Sequence, residues 1–199
     1  MRLRYGPISP FARKVRVVAH ELRIAERIEL VPTQLGTPDA AFEAENPLAK
    51  IPVLVTDDGM AIPESGVICE YLVATFGGDR LLAPAGNARW RTLTAMSLAD
   101  GVADACIMAR RDLLRPEGRR DDDAAAFQLA KMGRGLDHFE REVAAAPDAP
   151  FDLGRIALAC SLGYLLLRLG EEKVLATRPA LARWYRAVLA HPSMQATDP

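Results

Sequence analysis

Ser9 is the first residue in this sequence whose type and position could do chemistry. It lies between Pro7 and Pro10, directly before a stretch from Phe11 to Leu22 with apolar residues at helical spacing. Proline suits the first turn of a helix, so the pattern places Ser9 at or just before the N-cap. A hydroxyl there either only caps the helix or also donates a hydrogen bond to an anion at the helix's positive end. Arg13, one turn along, could add positive charge.

Two further groups of polar residues begin or precede predicted elements. Glu64 and Ser65 lie at the start of a helix predicted over 65–76. Taken alone, an acid and a hydroxyl in that position usually cap the helix. Lys50, directly before Ile51, is by itself most simply a solvated surface lysine.

The elements that must position these residues alternate in type up to about residue 76. Strands are predicted at 2–5, 27–31, 51–55 and 60–62, and helices at 11–22, 39–45 and 65–76. The order is therefore β-α-β-α-β-β-α, with the last two strands joined by a tight turn at Asp57-Asp58-Gly59. This pattern predicts a small α/β domain over residues 1–78.

The rest of the chain has the pattern of an all-helical domain. Strand signals disappear after Gly77-Gly78, and helices are predicted at 88–114, 122–146, 152–170 and 179–190. The segment Arg115–Asp123 carries dense charge of both signs and is predicted to be a solvated loop. The second domain is predicted to span residues 84–199.

The bulk composition disfavours several classes of function. The 199 residues include 25 Lys and Arg against 26 Asp and Glu, a formal net charge of -1, which gives no long-range field for nucleic acid or an anionic membrane. No segment approaches the ~20 continuous apolar residues of a membrane span, and no signal peptide is recognisable.

The cysteines and histidines point to a reduced protein without a metal site. Cys69, Cys106 and Cys160 form no CxxC motif and lie in apolar runs, so we expect buried thiols in a cytoplasmic protein. The three histidines are scattered, and no metal-ligand spacing is present among them.

Three segments resemble the glutathione transferase family. The stretch Tyr5–Arg16, YGPISPFARKVR, is similar to the opening of many bacterial members, where a strand delivers Ser or Cys to a helix N-terminus. The stretch Asn46–Leu54, NPLAKIPVL, looks like the family's NPxGKVPVL segment, in which the proline is cis. Pro63–Leu72, PESGVICEYL, is similar to the family's (E/Q)S-x-x-I-x-x-Y-L element. The resemblance covers the whole chain, strongly over the first 76 residues and loosely beyond them.

This resemblance implies a glutathione-transferase fold, a thioredoxin-like N-terminal domain followed by a helical bundle, with glutathione as co-substrate and no metal. Ser9 would donate a hydrogen bond to the glutathione sulfur, and Arg13 would add charge. A free thiol has a pKa near ~8.5, so only a few per cent is thiolate at neutral pH. Stabilising the anion therefore supplies the nucleophile.

The resemblance also implies how the tripeptide is held. A cis bond at Pro52 would aim the N–H and C=O of Ile51 outward, to pair with the cysteine backbone of glutathione. Lys50 would meet the glycine carboxylate. Glu64 would take the ammonium of the γ-glutamyl end, while Ser65 and the helix N-terminus take its carboxylate.

Relatives are mostly homodimers, so the resemblance implies a homodimer here. Asp100 and Asp104 would reach the ligand across the dimer interface, or they are simply acids on a helix surface. The second substrate is not readable from the sequence.

One capping segment departs from the family pattern. The stretch Phe151–Ala157, FDLGRIA, resembles the family's S/T-x-x-D-I-A segment, with Asp152 as the N-cap. Arg155 stands where the capping box needs an acid, so the reciprocal bond is lost and an arginine lies beside the positive helix end. We expect the same fold in a divergent branch.

Three functions remain open. The leading one is a transferase in which the thiolate attacks an electrophilic carbon of an apolar substrate, or reduces a peroxide, in detoxification. The second is a non-catalytic module that keeps the fold for protein contacts, against which the retention of Glu64, Ser65 and Lys50 argues. The third is a glutathione-dependent isomerase or dehalogenase. Serine at position 9 disfavours the cysteine-type members, which form mixed disulfides with glutathione.

Overall fold

A four-stranded mixed sheet begins the structure, a computed structural model that describes residues 1–37 and 39–199. Its strands are β1 (Arg2–Tyr5), β2 (Glu29–Pro32), β3 (Val53–Val55) and β4 (Ala61–Pro63). Their order across the sheet is β2-β1-β3-β4, with β1 parallel to β2 and antiparallel to β3, and β3 antiparallel to β4. In this register Leu3, Leu54 and Ile62 form one buried row.

Three helices accompany the sheet: α1 (Pro10–Glu21), α2 (Ala40–Glu45) and α3 (Ser65–Phe76). Helix α1 packs against α3, and it is buried along most of its length. Helix α3 ends at Gly77, whose φ of 77° lies in the left-handed region that glycine adopts without steric cost.

Six helices form the second half of the chain. They are α4 (Gly86–Leu113), α5 (Asp122–Ala145), α6 (Leu153–Leu169), α7 (Glu171–Leu175), α8 (Pro179–Val188) and α9 (Pro192–Gln195). Helix α4 packs against α5 and α6, and α6 also packs against α1 of the sheet half. The buried side chains of α6 therefore join the two halves in one hydrophobic core.

The predicted fold class is confirmed. The predicted secondary structure differs from the observed one mainly at short elements. The strand predicted at 27–31 begins at Glu29 because Ala25–Arg27 forms a 3₁₀ turn. Helices α7 and α9 were not predicted, since five and four residues are too few for helical periodicity to show. The domain limits at residues 78 and 84 stay a prediction.

Helix α4 is more apolar than the sequence analysis expected. In the described part of the chain it alone has the length and composition of a membrane span, with a mean hydropathy of 1.2 over 18 residues. Length and composition are weak grounds for a span, because the core helix of a soluble protein meets the same criteria. Here 39% of that window is buried against other parts of the protein.

Arg155 is not a misplaced charge at the start of α6. Its guanidinium turns away from that helix end and donates to the carbonyls of Pro147 (3.0 Å) and Ala146, just past the C-terminus of α5. A cation is favourable there because the last carbonyls of a helix carry partial negative charge. Asp152 meanwhile caps α6 by accepting from the Arg155 amide (3.0 Å).

Replacing Arg155 with methionine should lower the free energy of unfolding by about 2 kcal/mol, because two carbonyls at the C-terminus of α5 lose a charged donor. Urea denaturation measures this. The matched control is Arg186→Met, since Arg186 and its partner Glu171 have side chains that are 67% and 61% exposed. Exposed ion pairs contribute little, so the control should change stability by less than about 0.5 kcal/mol. Equal effects of the two substitutions would contradict the capping role.

Candidate functional site

Ser9 stands at the N-terminus of α1, as the sequence predicted. Its Oγ accepts a hydrogen bond from the Ala12 amide (3.3 Å), and its own amide donates to the Gly6 carbonyl (3.0 Å). The loop that carries it lies against the segment before β3, because a Cβ added at Gly6 would be 2.9 Å from Cδ1 of Ile51. The loop that carries Ser9 and the segment that carries Ile51 are therefore neighbours.

The segment before β3 is shaped by an asparagine whose role the sequence analysis did not assign. The Ile51–Pro52 peptide bond is cis. Asn46 is only 4% exposed; its Nδ2 donates to the Lys50 carbonyl (2.8 Å) and its Oδ1 accepts from the Leu48 amide (3.1 Å). These bonds fix the turn that presents Lys50, which is exposed, and Ile51 beside it.

Glu64 caps α3 with both of its carboxylate oxygens. Oε1 accepts from the Gly66 amide (3.0 Å) and the Ser65 hydroxyl (3.2 Å), and Oε2 accepts from the Val67 amide (3.1 Å). Burial raises the pKa of Glu64, but the amide hydrogen bonds and the charge of Lys14 outweigh it, so the pKa lies below its usual value. The carboxylate is thus ionised at neutral pH. Capping alone accounts for these contacts.

Asp100 forms an ion pair within its own chain. Its Oδ2 lies 2.5 Å from Nζ of Lys14, whose side chain is fully buried. The sequence analysis quoted Lys14 within the Tyr5–Arg16 stretch but gave it no function. A signal was available, because Lys14 lies beside the apolar residues Val15, Val17 and Val18, and a lysine buried among them must find a partner. Whether Asp100 also reaches a ligand of another subunit stays a prediction.

Several charges act on one another around this pair. Burial raises the pKa of Asp100, Lys14 opposes that rise, and the charges of Glu64 and Asp104 add to it. The pKa of Asp104 is raised by the loss of solvation, against the effect of Lys50. Acids from the start of α3 and from α4 therefore share one region with two lysines.

Arg13 lies one turn along α1 from Ser9, and its side chain contacts the C-terminal part of the chain. Its guanidinium is buried and donates to the Met194 carbonyl (3.0 Å) and to Asp198 (3.3 Å), near the C-terminus of the chain. Whether Arg13 also adds charge beside Ser9 stays a prediction. Residues one turn apart along a helix share a face only approximately, and here the side chain extends toward α9.

The three cysteines are free and buried. Burial raises the pKa of Cys69 and of Cys160 to about 12, and it also raises that of Cys106. These groups are thiols rather than thiolates at neutral pH, so none of them is an activated nucleophile. Within residues 1–37 and 39–199, no three His, Cys, Asp or Glu side chains are placed to hold a metal ion.

Comparison with known proteins identifies similar chains. Residues 8–75 match the sequence family described as glutathione S-transferase, N-terminal domain. The chain is 31% identical over 204 residues to the uncharacterized GST-like protein YibF of Escherichia coli (strain K12), a match that covers 100% of this chain and 98% of YibF.

Two solved structures are similar over the whole chain. A glutathione transferase family member from Pseudomonas fluorescens Pf-5 with bound glutathione has a TM-score of 0.94 and 39% identity, covering 100% of this chain and 98% of that one. A structure of a family member from the same organism with bound S-(propanoic acid)-glutathione has a TM-score of 0.90 and 38% identity, covering 100% and 99%.

The native protein should react very slowly with a thiol reagent such as dithiobis(nitrobenzoate). A thiol with a pKa of about 12 is ~1 part in 10,000 thiolate near pH 8, and the reagent must also reach a buried sulfur. The same protein in guanidinium chloride is the control and should release all three thiols at once. Rapid reaction of one native cysteine would contradict this and reopen mixed-disulfide chemistry.

Proposed function

The chain belongs to the glutathione S-transferase family, and we propose that it activates glutathione for attack on the electrophilic carbon of an apolar second substrate. In this reaction a sulfur–carbon bond forms, and the electrophile either loses its leaving group or takes up a proton. The observation that carries the proposal is the position of Ser9, at the start of α1 and beside the Ile51 segment.

Ser9 would stabilise the thiolate by donating its hydroxyl hydrogen to the sulfur. Its oxygen already accepts from the Ala12 amide, which orients the hydroxyl and leaves its hydrogen to donate. The N-terminal amides of α1 contribute partial positive charge at the same point. Both effects favour the anion over the thiol. The guanidinium of Arg13 is bonded to the C-terminal residues, so any effect of its charge on the thiolate would act through space rather than by contact.

The remaining residues would hold the tripeptide. The exposed Lys50 would pair with the glycine carboxylate, and the backbone of Ile51 would bond to the cysteine backbone as a short added strand. At the other end, Ser65 and the amides of α3 would bind the γ-glutamyl carboxylate, while Glu64 and Asp100 would accept from its ammonium.

The bound molecules in the two Pseudomonas fluorescens structures support this choice of reaction. One holds glutathione, and the other holds S-(propanoic acid)-glutathione, which is a thioether of glutathione. Conjugation of a thiolate to carbon yields a thioether of that class. A thiolate held in the same way could also reduce a peroxide, which a coupled assay would detect as a second activity.

We propose the cytoplasm as the location of this activity. The three free thiols fit a reducing compartment. The cytosol also maintains a glutathione pool, which would supply the co-substrate. Conjugation of reactive electrophiles there would serve detoxification.

We also propose that the protein is a homodimer through the outer faces of α4 and α5. Trp90 and Leu98 on α4 are 63% and 43% exposed, and they line a groove of about 650 Å³. The same groove contains Arg91 and Glu142. An isologous interface places the same patch on both subunits, so opposite charges within one patch can pair with their copies.

Calorimetric titration with reduced glutathione tests the transferase proposal. Wild type should bind saturably. Glu64→Gln keeps an oxygen that can cap α3 but loses a charge-assisted bond to the ammonium, so the Kd should rise about tenfold or more. Ser9→Ala should change the Kd by less than about threefold, because its role is at the sulfur.

The thiol pKa of bound glutathione, followed by thiolate absorbance, distinguishes the two variants. It should lie well below about 8.5 in wild type and in Glu64→Gln, and return toward that value in Ser9→Ala together with loss of conjugation to chlorodinitrobenzene. Since Ser9 and Glu64 are also helix caps, Asp121→Ala, which removes the cap of α5, controls for lost stability.

No heat at millimolar glutathione would refute the proposal and favour a protein-interaction module. An isomerase or dehalogenase would bind glutathione but turn over other electrophiles.

Sedimentation equilibrium tests the dimer. Trp90→Ala should raise the dimer dissociation constant about tenfold or more, as loss of a central aromatic side chain does at other interfaces. Leu167→Ala is the control, because Leu167 is 55% exposed but lies on α6, outside the groove. A wild-type monomer at tens of micromolar protein would contradict the proposal.

A further inference from the structure

We propose that Lys14 is a positioning residue for glutathione: its buried ammonium holds the Asp100 carboxylate where that carboxylate accepts a hydrogen bond from the γ-glutamyl ammonium. The inference rests on the proposed function, because it concerns one end of the same glutathione site. It assigns Lys14 no contact with the ligand.

Lys14 and Asp100 differ in their exposure to solvent. The Lys14 side chain is fully buried, while that of Asp100 remains 20% exposed, with 2.5 Å between Nζ and Oδ2. Across residues 1–37 and 39–199, no other charged side chain is buried as completely as Lys14. Burying a lysine costs free energy unless it is paired. Lys14 therefore holds the Asp100 carboxylate from the interior, while the Asp100 side chain keeps some surface exposed to solvent.

The charges around Asp100 indicate what its ion pair with Lys14 does. Asp100 is influenced by Lys14 from α1, Glu64 from the start of α3 and Asp104 from α4. Lys50 acts on Asp104, and the nearby thiols of Cys69 and Cys160 are neutral. Two acids push Asp100 toward protonation, as does its burial, and Lys14 is the cation that opposes them.

A carboxylate held by Lys14 in the same region as Glu64 suits an ammonium ligand. The charge of Lys14 acts on Glu64 as well as on Asp100, which places all three groups in one neighbourhood. Two acids, Glu64 and Asp100, lie near one buried lysine, Lys14. A γ-glutamyl ammonium bound there would supply a second positive charge. Without Lys14, Asp100 would take up a proton at higher pH and lose its fixed orientation.

The test compares two ligands by calorimetry: glutathione, and glutaryl-cysteinylglycine, which is glutathione without the ammonium. The variants are Lys14→Met, Asp100→Asn and the double variant. The double variant removes the pair without leaving one buried charge behind, and comparison of Lys14→Met with Asp100→Asn separates the role of Lys14 from that of Asp100. The control removes a different ion pair between helices, the one between Glu70 of α3 and Arg89 of α4. Its substitutions are Glu70→Gln and Arg89→Met.

The double variant should unfold near the wild-type midpoint and bind glutathione about tenfold more weakly, while its affinity for the analogue changes less than about twofold. The control should leave both affinities unchanged. In Lys14→Met the acid limb of glutathione binding should move to higher pH, because the cation that lowers the pKa of Asp100 is gone.

Wild-type affinity for both ligands in a folded double variant would overturn the inference and make the pair purely structural. Equal weakening of both ligands would also overturn it, since the ammonium would then not be the group affected. Absence of glutathione binding in wild type would overturn it together with the proposed function, and that outcome is recognisable before any variant is made.

Discussion

Helix α1 carries two adjacent cations into the interior, and the rest of the structure must neutralise them. Lys14 pairs with Asp100, which follows 86 residues later, and Arg13 bonds to the carbonyl of Met194, 181 residues later. Both partners come from the helical half of the chain. A buried cation left unpaired costs several kcal/mol, so the helical half fixes how α1 lies on the sheet. Because Ser9 caps α1, the same ion pairs set where the proposed thiolate site is.

Folding and the proposed chemistry share atoms at two helix starts. The Ser9 oxygen accepts from the backbone of α1, and the Glu64 carboxylate accepts from the backbone of α3. Each group is thereby held rigidly by the helix it caps. The arrangement also limits what a substitution can reveal, because removing either side chain weakens a helix as well as the site. An amide in place of Glu64, which can still cap, separates the two effects better than alanine does.

The helical half shows how a departure from a family pattern is accommodated. Asp152 caps α6 through the Arg155 amide and also accepts from the hydroxyl of Thr92 on α4. The Asp152 amide, which the acid of a capping box would accept from, donates instead to the Pro150 carbonyl (2.9 Å). Arg155 is then available to cap the C-terminus of α5, with its guanidinium 5.6 Å from the ring of Trp184. A change that looks unfavourable in one helix is favourable once its neighbour is present.

The sequence by itself determined the order of the elements up to α3, the cap at Ser9 and the limits of α3, because each of these depends on residues close together in the chain. It did not determine where charged side chains on the helices point. Arg13 and Lys14 are about 100° apart around α1, and which helix lies on each side is a property of the packed structure. Only the tertiary structure therefore decided that Arg13 bonds to the C-terminal residues and that Lys14 pairs with Asp100. It thereby distinguished Arg13, a buried structural cation, from Lys14, a cation beside the proposed site.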